Sequence, residues 1–245
     1  MVAEKIHRTA SVGPGVELGQ DVVVGPYAVL TGPMTVGDRT WIGAGAALGG
    51  PPETKSARMN SAWVGDLDHA GVVVGADVVV RENAVVHQGT WRPTVVGDGV
   101  WLMNRSYVAH DVEVGESAVL SAGVSVGGHV TIGARANIGL NASVHQRRVV
   151  GPGAMVGMGT ALARDVPPFA LVYGSPARLE GVNAHLLRLC GYSDEVVDAL
   201  RRAYEASDDL TAVTVTDELA PVTAELDAWN LLVAPRPVRS GSAAR

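Results

Sequence analysis

Lysine is nearly missing from this chain: Lys5 and Lys55 are its two, and arginine supplies the rest of the 19 basic residues. Acidic residues number 25 and the net charge is -6, so the chain lacks the basic footprint of a general nucleic-acid binder. Phenylalanine occurs once and aromatics make up 4% of the chain, so a core must be built from Val, Ala, Leu and Ile. The single cysteine, Cys190, excludes an intrachain disulfide framework and a multi-cysteine metal site. No run of about 18 apolar residues occurs, so no membrane span is expected. The opening stretch MVAEKIHRTAS has no apolar core, so no secretory signal is expected and a cytoplasmic protein is the default. Glycine, by contrast, is abundant at 30 of 245 residues, and 47% of the chain is hydrophobic, enough for one large domain or one domain with a small appendage.

The aliphatic residues keep a strict beat. Ile6, Val12, Leu18, Val24, Leu30, Val36, Ile42 and Leu48 recur every six residues; Val74, Val80 and Val86 repeat the spacing, and so does every sixth residue from Val96 to Leu162. Glycine often follows, as at Gly13, Gly19 and Gly25. Four residues after each aliphatic comes a small or β-branched side chain, such as Ala28, Thr40, Val112 or Ala136. Neither a helical period of 3.6 nor strand alternation produces a strict six. A hexapeptide β-helix does: six residues make one short strand and a turn, and three such units close a triangular coil of 18. Each aliphatic then stacks inward on its equivalent one coil away, about 4.8 Å along the axis. The expected fold is an all-β left-handed parallel β-helix over residues 1–172. Insertions at 50–72 and 88–95 break its beat. Excursions from a rigid scaffold often carry function; a passive surface loop is the other reading of each.

After Leu162 the beat stops. Residues 173–233 are expected to form a C-terminal α-helical extension, with Ser193 as an N-cap and Val196, Val197, Leu200 and Tyr204 on one buried face. A further helix is expected after Pro221, and residues 234–245 read as a disordered tail.

Register turns the repeat into geometry. Positions 18 apart share a column, so His110 stacks beside Gly128 and Asp111 beside His129. Ala109, Gly127 and His145 share the next column, and His87 joins it once the four extra residues of the second insertion are counted. Four of the seven histidines thus gather along one corner, with Asp111 next to His110. An outward edge of one β-helix is also where a neighbouring subunit would pack, burying the cluster in a cleft between chains. Acyl transfer suits such a cleft: a neutral imidazole takes a proton from an attacking hydroxyl or amine, a carboxylate fixes its tautomer, and a backbone N–H beside it stabilises an oxyanion. No nucleophilic Ser or Cys motif is apparent, so direct transfer is expected. A γ-carbonic-anhydrase-like metal site is the rival chemistry, but its paired histidines at five-residue spacing are absent. A purely structural β-helix is the remaining alternative.

The motifs RENAVVHQGT, VAHDVEVG, GGHVTIG, SVHQ, RDVPPFALVYG and GVNAHLLRLCGYS give the chain, from about residue 6 to 205, a resemblance to the UDP-N-acetylglucosamine O-acyltransferases. The resemblance implies a homotrimer with clefts between subunits and an acyl donor carried on the phosphopantetheine of an acyl carrier protein, with acyl-CoA the alternative. It implies no further cofactor and no metal. His110 matches the general base, Asp111 its partner and Gly128 the oxyanion donor. His87, His129, His145 and Gln146 match substrate-binding positions. The chain departs from the family at Tyr107, where a histidine is usual, at Gln88, at the loop PPETK, at Arg147 and Arg148, and at Leu189-Cys190. Catalysis reads as retained, with the contacts to sugar, nucleotide and carrier rebuilt. The expected acceptor is a hydroxyl or amine of a nucleotide sugar or amino sugar. Tyr107, Gln88, Arg147 and Arg148 join the expected substrate-binding set, and Arg148, too large for a tight corner, is expected to swing toward a substrate phosphate.

Overall fold

A computed structural model describes residues 5–57, 59, 69–206 and 216–233. The short strands between Ser11 and Leu162 wind as a left-handed parallel β-helix of about eight turns. Its strands are mostly two residues long, one pointing in and one out. In the strand Tyr107–Val108, Val108 is buried and Tyr107 faces outward. Equivalent strands of successive coils pair in parallel with an offset of 18, as in Val108 with Val126 and Val126 with Val144. Among the described residues this builds three sheets of eight, seven and nine strands.

The core is the beat itself. Leu102, Leu120 and Ile138 stack down one sheet, and Val114, Ile132 and Val150 down another, all buried. The small residues four positions on, including Ala28, Thr40, Val112 and Ala136, are buried at the corners. Most corners turn through one residue in the left-handed region, and Asp111 (φ 58°) and His129 (φ 60°) are two of them. For an L-residue that conformation costs roughly 1–2 kcal/mol, a cost the stacked ladder bonds must offset.

Both insertions leave the inward column in phase, with one bulge between Val86 and His87 where His87 pairs with Gly50. Leu48 pairs with Val86 across the first, and Val86 with Val108 across the second. Strands reclaim the edges of both expected loops: Ala47–Gly50 and Val72–Val74 flank the first, and Thr94–Val96 absorbs the end of the second.

The C-terminal region opens on strand rather than helix. Ala170–Tyr173 extends the third sheet, and Arg178–Val182 pairs antiparallel with it around Gly174. Leu179 and Val182 both turn inward while Arg178 and Glu180 are exposed, because a bulge in the pairing sets Val172 opposite Leu179 and Leu171 opposite Gly181. Helix α1 (Ala184–Leu189) follows, with the Asn183 side chain accepting from the Leu186 N–H at its start. Helix α2 (Asp194–Glu205) buries Val196, Val197, Leu200 and Tyr204, and the Tyr204 hydroxyl donates to the Pro168 carbonyl. A 3-10 turn (Asp217–Val222) already contains Pro221 and leads into α3 (Thr223–Val233). Residues 234–245 lie outside the described residues.

If the stacked aliphatics hold the coils, replacing Ile138 by Ala should lower the unfolding free energy by about 2–5 kcal/mol. The exposed Glu17→Ala should shift it by less than about 0.5 kcal/mol. Equal effects in chemical denaturation would refute this account of the core.

Candidate active site

The second insertion has a definite task. Residues 88–93 fold under the corner that carries Asp111, whose side chain is fully buried. Asp111 Oδ1 accepts from the Thr90 N–H at 2.9 Å and the Trp91 N–H at 3.3 Å, and Oδ2 accepts from the Thr90 hydroxyl at 2.7 Å. Arg92 donates to the Asp111 carbonyl at 2.9 Å, and Thr94 Oγ1 accepts from the Asp111 N–H at 2.9 Å. Gly89 makes this tight turn possible, because a β-carbon there would lie 1.6 Å from the Arg92 carbonyl oxygen.

His110 Nδ1 lies 2.6 Å from Asp111 Oδ2. Burial raises the carboxyl's pKa, but the hydrogen bonds from His110, Thr90 and Trp91 outweigh it and hold Asp111 at about 2. An ionised acceptor at that distance requires Nδ1 to carry the proton, which leaves Nε2 as the basic nitrogen. Nε2 stands over Gly128: a β-carbon there would lie 2.6 Å from it. Any other residue would push the imidazole out of place. The Gly128 N–H donates to no group among the described residues, while its carbonyl accepts from the Arg147 N–H at 2.9 Å.

His110 and Gly128 open on a groove of about 550 Å³. Its floor is one column of outward residues, Tyr107, Ser125, Ser143 and Ala161, paired coil to coil. Glu53, His145 and Gln146 also line it.

The remaining expected residues sort differently. His129 packs edge-on against His110 with ring centroids 4.8 Å apart, and its Nδ1 lies 3.7 Å from Asp111 Oδ2. Burial lowers its pKa, Asp111 raises it, and Arg147, His110 and Arg92 lower it further, for a net fall. Gln88 is buried and does not line the groove; its Nε2 donates to the Gly32 and Gly49 carbonyls at 3.1 and 2.7 Å. Nor does His87 line it, since its Nδ1 bonds to the Pro51 carbonyl at 2.8 Å. Both brace the root of the first insertion. Arg148 is engaged within the chain: it pairs with Asp165 at 3.5 Å, and neither it nor the exposed Arg147 lines the groove. The expected swing of Arg148 toward a phosphate is met by an acid one coil on. Sequence reasoning missed Thr90, Arg92 and Glu53. The four-residue excess before Val96 was the available signal for the first two.

His110, Asp111 and His129 also bring ligand-type atoms within 4.8 Å of one another. Asp111 Oδ2, however, is already shared by His110 and the Thr90 hydroxyl, and the side chain is closed to solvent. The arrangement suits a hydrogen-bonded acid–base pair better than an ion.

A hexapeptide β-helix whose groove is served by a carboxylate-held imidazole has the build of the hexapeptide-repeat acyltransferases. Sequence models of bacterial transferase hexapeptide repeats and of the hexapeptide repeat of succinyl-transferase match residues 93–128 and 129–164. That of UDP-N-acetylglucosamine O-acyltransferase domain 2 matches residues 165–227. The chain is 32% identical over 221 residues to the acyl-[acyl-carrier-protein]–UDP-N-acetylglucosamine O-acyltransferase of Paraburkholderia phymatum, covering 82% of this chain and 81% of that one. It is 38% identical over 197 residues to the protein of that name from Syntrophobacter fumaroxidans, covering 79% and 73%. The UDP-N-acetylglucosamine acyltransferase structure from Campylobacter jejuni superposes with a TM-score of 0.68 at 28% identity, covering 84% and 87%. That from Moraxella catarrhalis, at 24% identity and a TM-score of 0.74 over 94% and 95%, agrees in fold. The chain belongs to the UDP-N-acetylglucosamine O-acyltransferase family, and it is an acyltransferase.

The Asp111 carboxyl has a lower pKa folded than the ordinary ~3.9 of an unfolded chain, so its contribution to stability is complete above that value and is lost as pH falls through about 2. The melting-temperature gap between the parent protein and Asp111→Asn should therefore be fully present at pH 5 and shrink below pH 4. A gap unchanged at pH 2.5 would contradict the assignment.

Proposed function

We propose that the protein transfers an acyl group directly from the thioester of an acyl carrier protein to a hydroxyl of a nucleotide sugar, with His110 as general base. The Paraburkholderia and Syntrophobacter relatives carry donor and acceptor in their names. An acyl-CoA donor and an amine acceptor are the variants of the same chemistry. The observation that carries the reading is the His110 imidazole, held through Nδ1 by a buried anion and presenting Nε2 over Gly128 to the groove.

The steps follow from that geometry. The acceptor hydroxyl donates to Nε2 and attacks the thioester carbonyl. Its proton passes to His110 as the new C–O bond forms. The carbonyl oxygen becomes an oxyanion and accepts from the Gly128 N–H. Collapse breaks the C–S bond, and the departing thiolate takes the proton back from Nε2. Asp111 orients the ring and stabilises the imidazolium without taking its proton. His145 and Gln146 bind substrate on the groove wall, and His129 lends a neutral ring beside the base. The groove faces outward on one β-helix, so a homotrimer would complete it with a neighbouring subunit. The protein works in the cytoplasm, where acyl thioesters and nucleotide sugars are made.

His110→Ala should retain the parent's oligomeric state by light scattering and lose turnover by ~10² or more. Asp111→Asn should lose less, because orientation rather than proton removal is affected. A loss below threefold in an intact His110→Ala trimer would sink the mechanism.

A further inference from the structure

Two arginines flank the groove toward its C-terminal coils. Gln146 and Ala163 line the groove, and each is followed directly by an exposed arginine, Arg147 and Arg164. The two segments meet at an irregular corner. Val144 pairs with Leu162 at an offset of 18 residues, but Val150 bridges to Val166 at an offset of 16. The later turn is therefore two residues shorter, and it carries Arg164 and Asp165 where the coil before carries Arg147 and Arg148. The acid in that turn is already engaged. Asp165 Oδ1 accepts from the Val149 N–H at 2.8 Å and lies 3.5 Å from Arg148. Among the described residues no acid pairs with Arg147 or Arg164. The corner thus holds two uncompensated guanidinium groups in a chain whose net charge is -6.

Arg147 is also placed by its backbone. It turns its corner in the left-handed region (φ 62°), and its N–H donates to the Gly128 carbonyl at 2.9 Å. Asp111, His129 and Arg147 follow one another down this corner, one coil apart, which sets the Arg147 backbone about 10 Å from that of Asp111. Beyond burial, the positive charge of Arg147 works to lower the His129 pKa. The side-chain amide of Gln146, beside it, has no hydrogen bond among the described residues. A phosphate suits this set: it offers several anionic oxygens, and a guanidinium meets them through paired N–H bonds. Both substrates of the proposed reaction carry that group, since the pantetheine arm of the donor bears a phosphate and the nucleotide sugar a diphosphate.

We propose that Arg147 and Arg164 form a phosphate clamp at the rim of the groove, holding a phosphate-bearing substrate while its reacting end lies at His110. This rests on the reading of the groove as an acyl-transfer site. Merely solvated surface charges would not favour a phosphorylated ligand over its dephosphorylated counterpart.

The test uses the full chain with Arg147→Gln, Arg164→Gln, the double variant and Arg8→Gln, which removes one exposed positive charge from the first coil. Calorimetry reads two ligand pairs, UDP against uridine and phosphopantetheine against pantetheine. Acyl transfer to UDP-N-acetylglucosamine is followed in parallel. Each single variant should weaken one phosphorylated ligand roughly tenfold, as loss of charge-assisted hydrogen bonds predicts, and the double variant should weaken it further. The dephosphorylated member of that pair should be unaffected, and Arg8→Gln should match the parent. A loss confined to UDP assigns the clamp to the acceptor; a loss confined to phosphopantetheine assigns it to the donor. In the transfer assay the KM of the same substrate should rise while kcat stays within about threefold. Three results would overturn the proposal: a parent with no preference for either phosphorylated ligand, a double variant that keeps both affinities, or an equal loss from Arg8→Gln. Equal losses of a phosphorylated ligand and its counterpart would also overturn it, because they mark lost packing. A phosphate preference abolished by the double variant, in a protein that transfers no acyl group, would uphold the clamp and refute the assigned reaction.

Discussion

Every feature of the site depends on register. A coil of 18 residues places position i over position i+18, and each inward aliphatic is locked against its equivalents above and below. A slip of one residue would turn the whole inward set outward, so the ladder tolerates no drift. Additions must leave as loops and return in phase, as both insertions do. The same rigidity fixes the outward side chains. Tyr107, Ser125, Ser143 and Ala161 form a floor because their neighbours Val108, Val126, Val144 and Leu162 are held inside.

The buried carboxylate is the costly part of this design. A charge shut away from water destabilises the fold unless hydrogen bonds replace hydration. The repeat cannot supply them, since its corners offer few spare N–H groups. The second insertion does, with three backbone N–H groups and a hydroxyl converging on Asp111. The loop exists in physical terms to keep one anion ionised beside one imidazole. The first insertion is tied down by Gln88 and His87 in a similar manner and delivers a second carboxylate, Glu53, to the groove.

The fold was legible in the sequence because a period of six admits few structures and the aliphatics keep it almost without a miss. The pairing of His110 with Asp111 and their stacking on Gly128 and His129 were legible for the same reason: once the period is known, columns follow by counting. Contacts made by the insertions were not legible, because no period runs through them. Thr90 and Glu53 could be found only by folding their loops. Gln88 and His87 sit in a motif that invites a substrate role, and their backbone bonds, made through Nε2 of Gln88 and Nδ1 of His87, were not legible from it. The partner of Arg148, Asp165, lies 17 residues on and outside an 18-residue column, so it escaped counting. The antiparallel strand Arg178–Val182 was hidden because a bulge breaks its alternation, beside stronger helical signals.

Charge placement explains why several histidines can share one corner. In the proposed transfer His110 takes a proton and becomes a cation, whose stability depends on what surrounds it. Asp111 faces it at 2.6 Å, ionised across the working pH range. The nearest ring, His129, is 4.8 Å away and would oppose that cation if it were also protonated. Burial works against this by lowering the His129 pKa, and Arg147 and Arg92 add to the effect against the pull of Asp111. The arginines around the corner thus bear on the reaction without lining the groove. In the proposed mechanism they leave the anion to the imidazole that stands over Gly128.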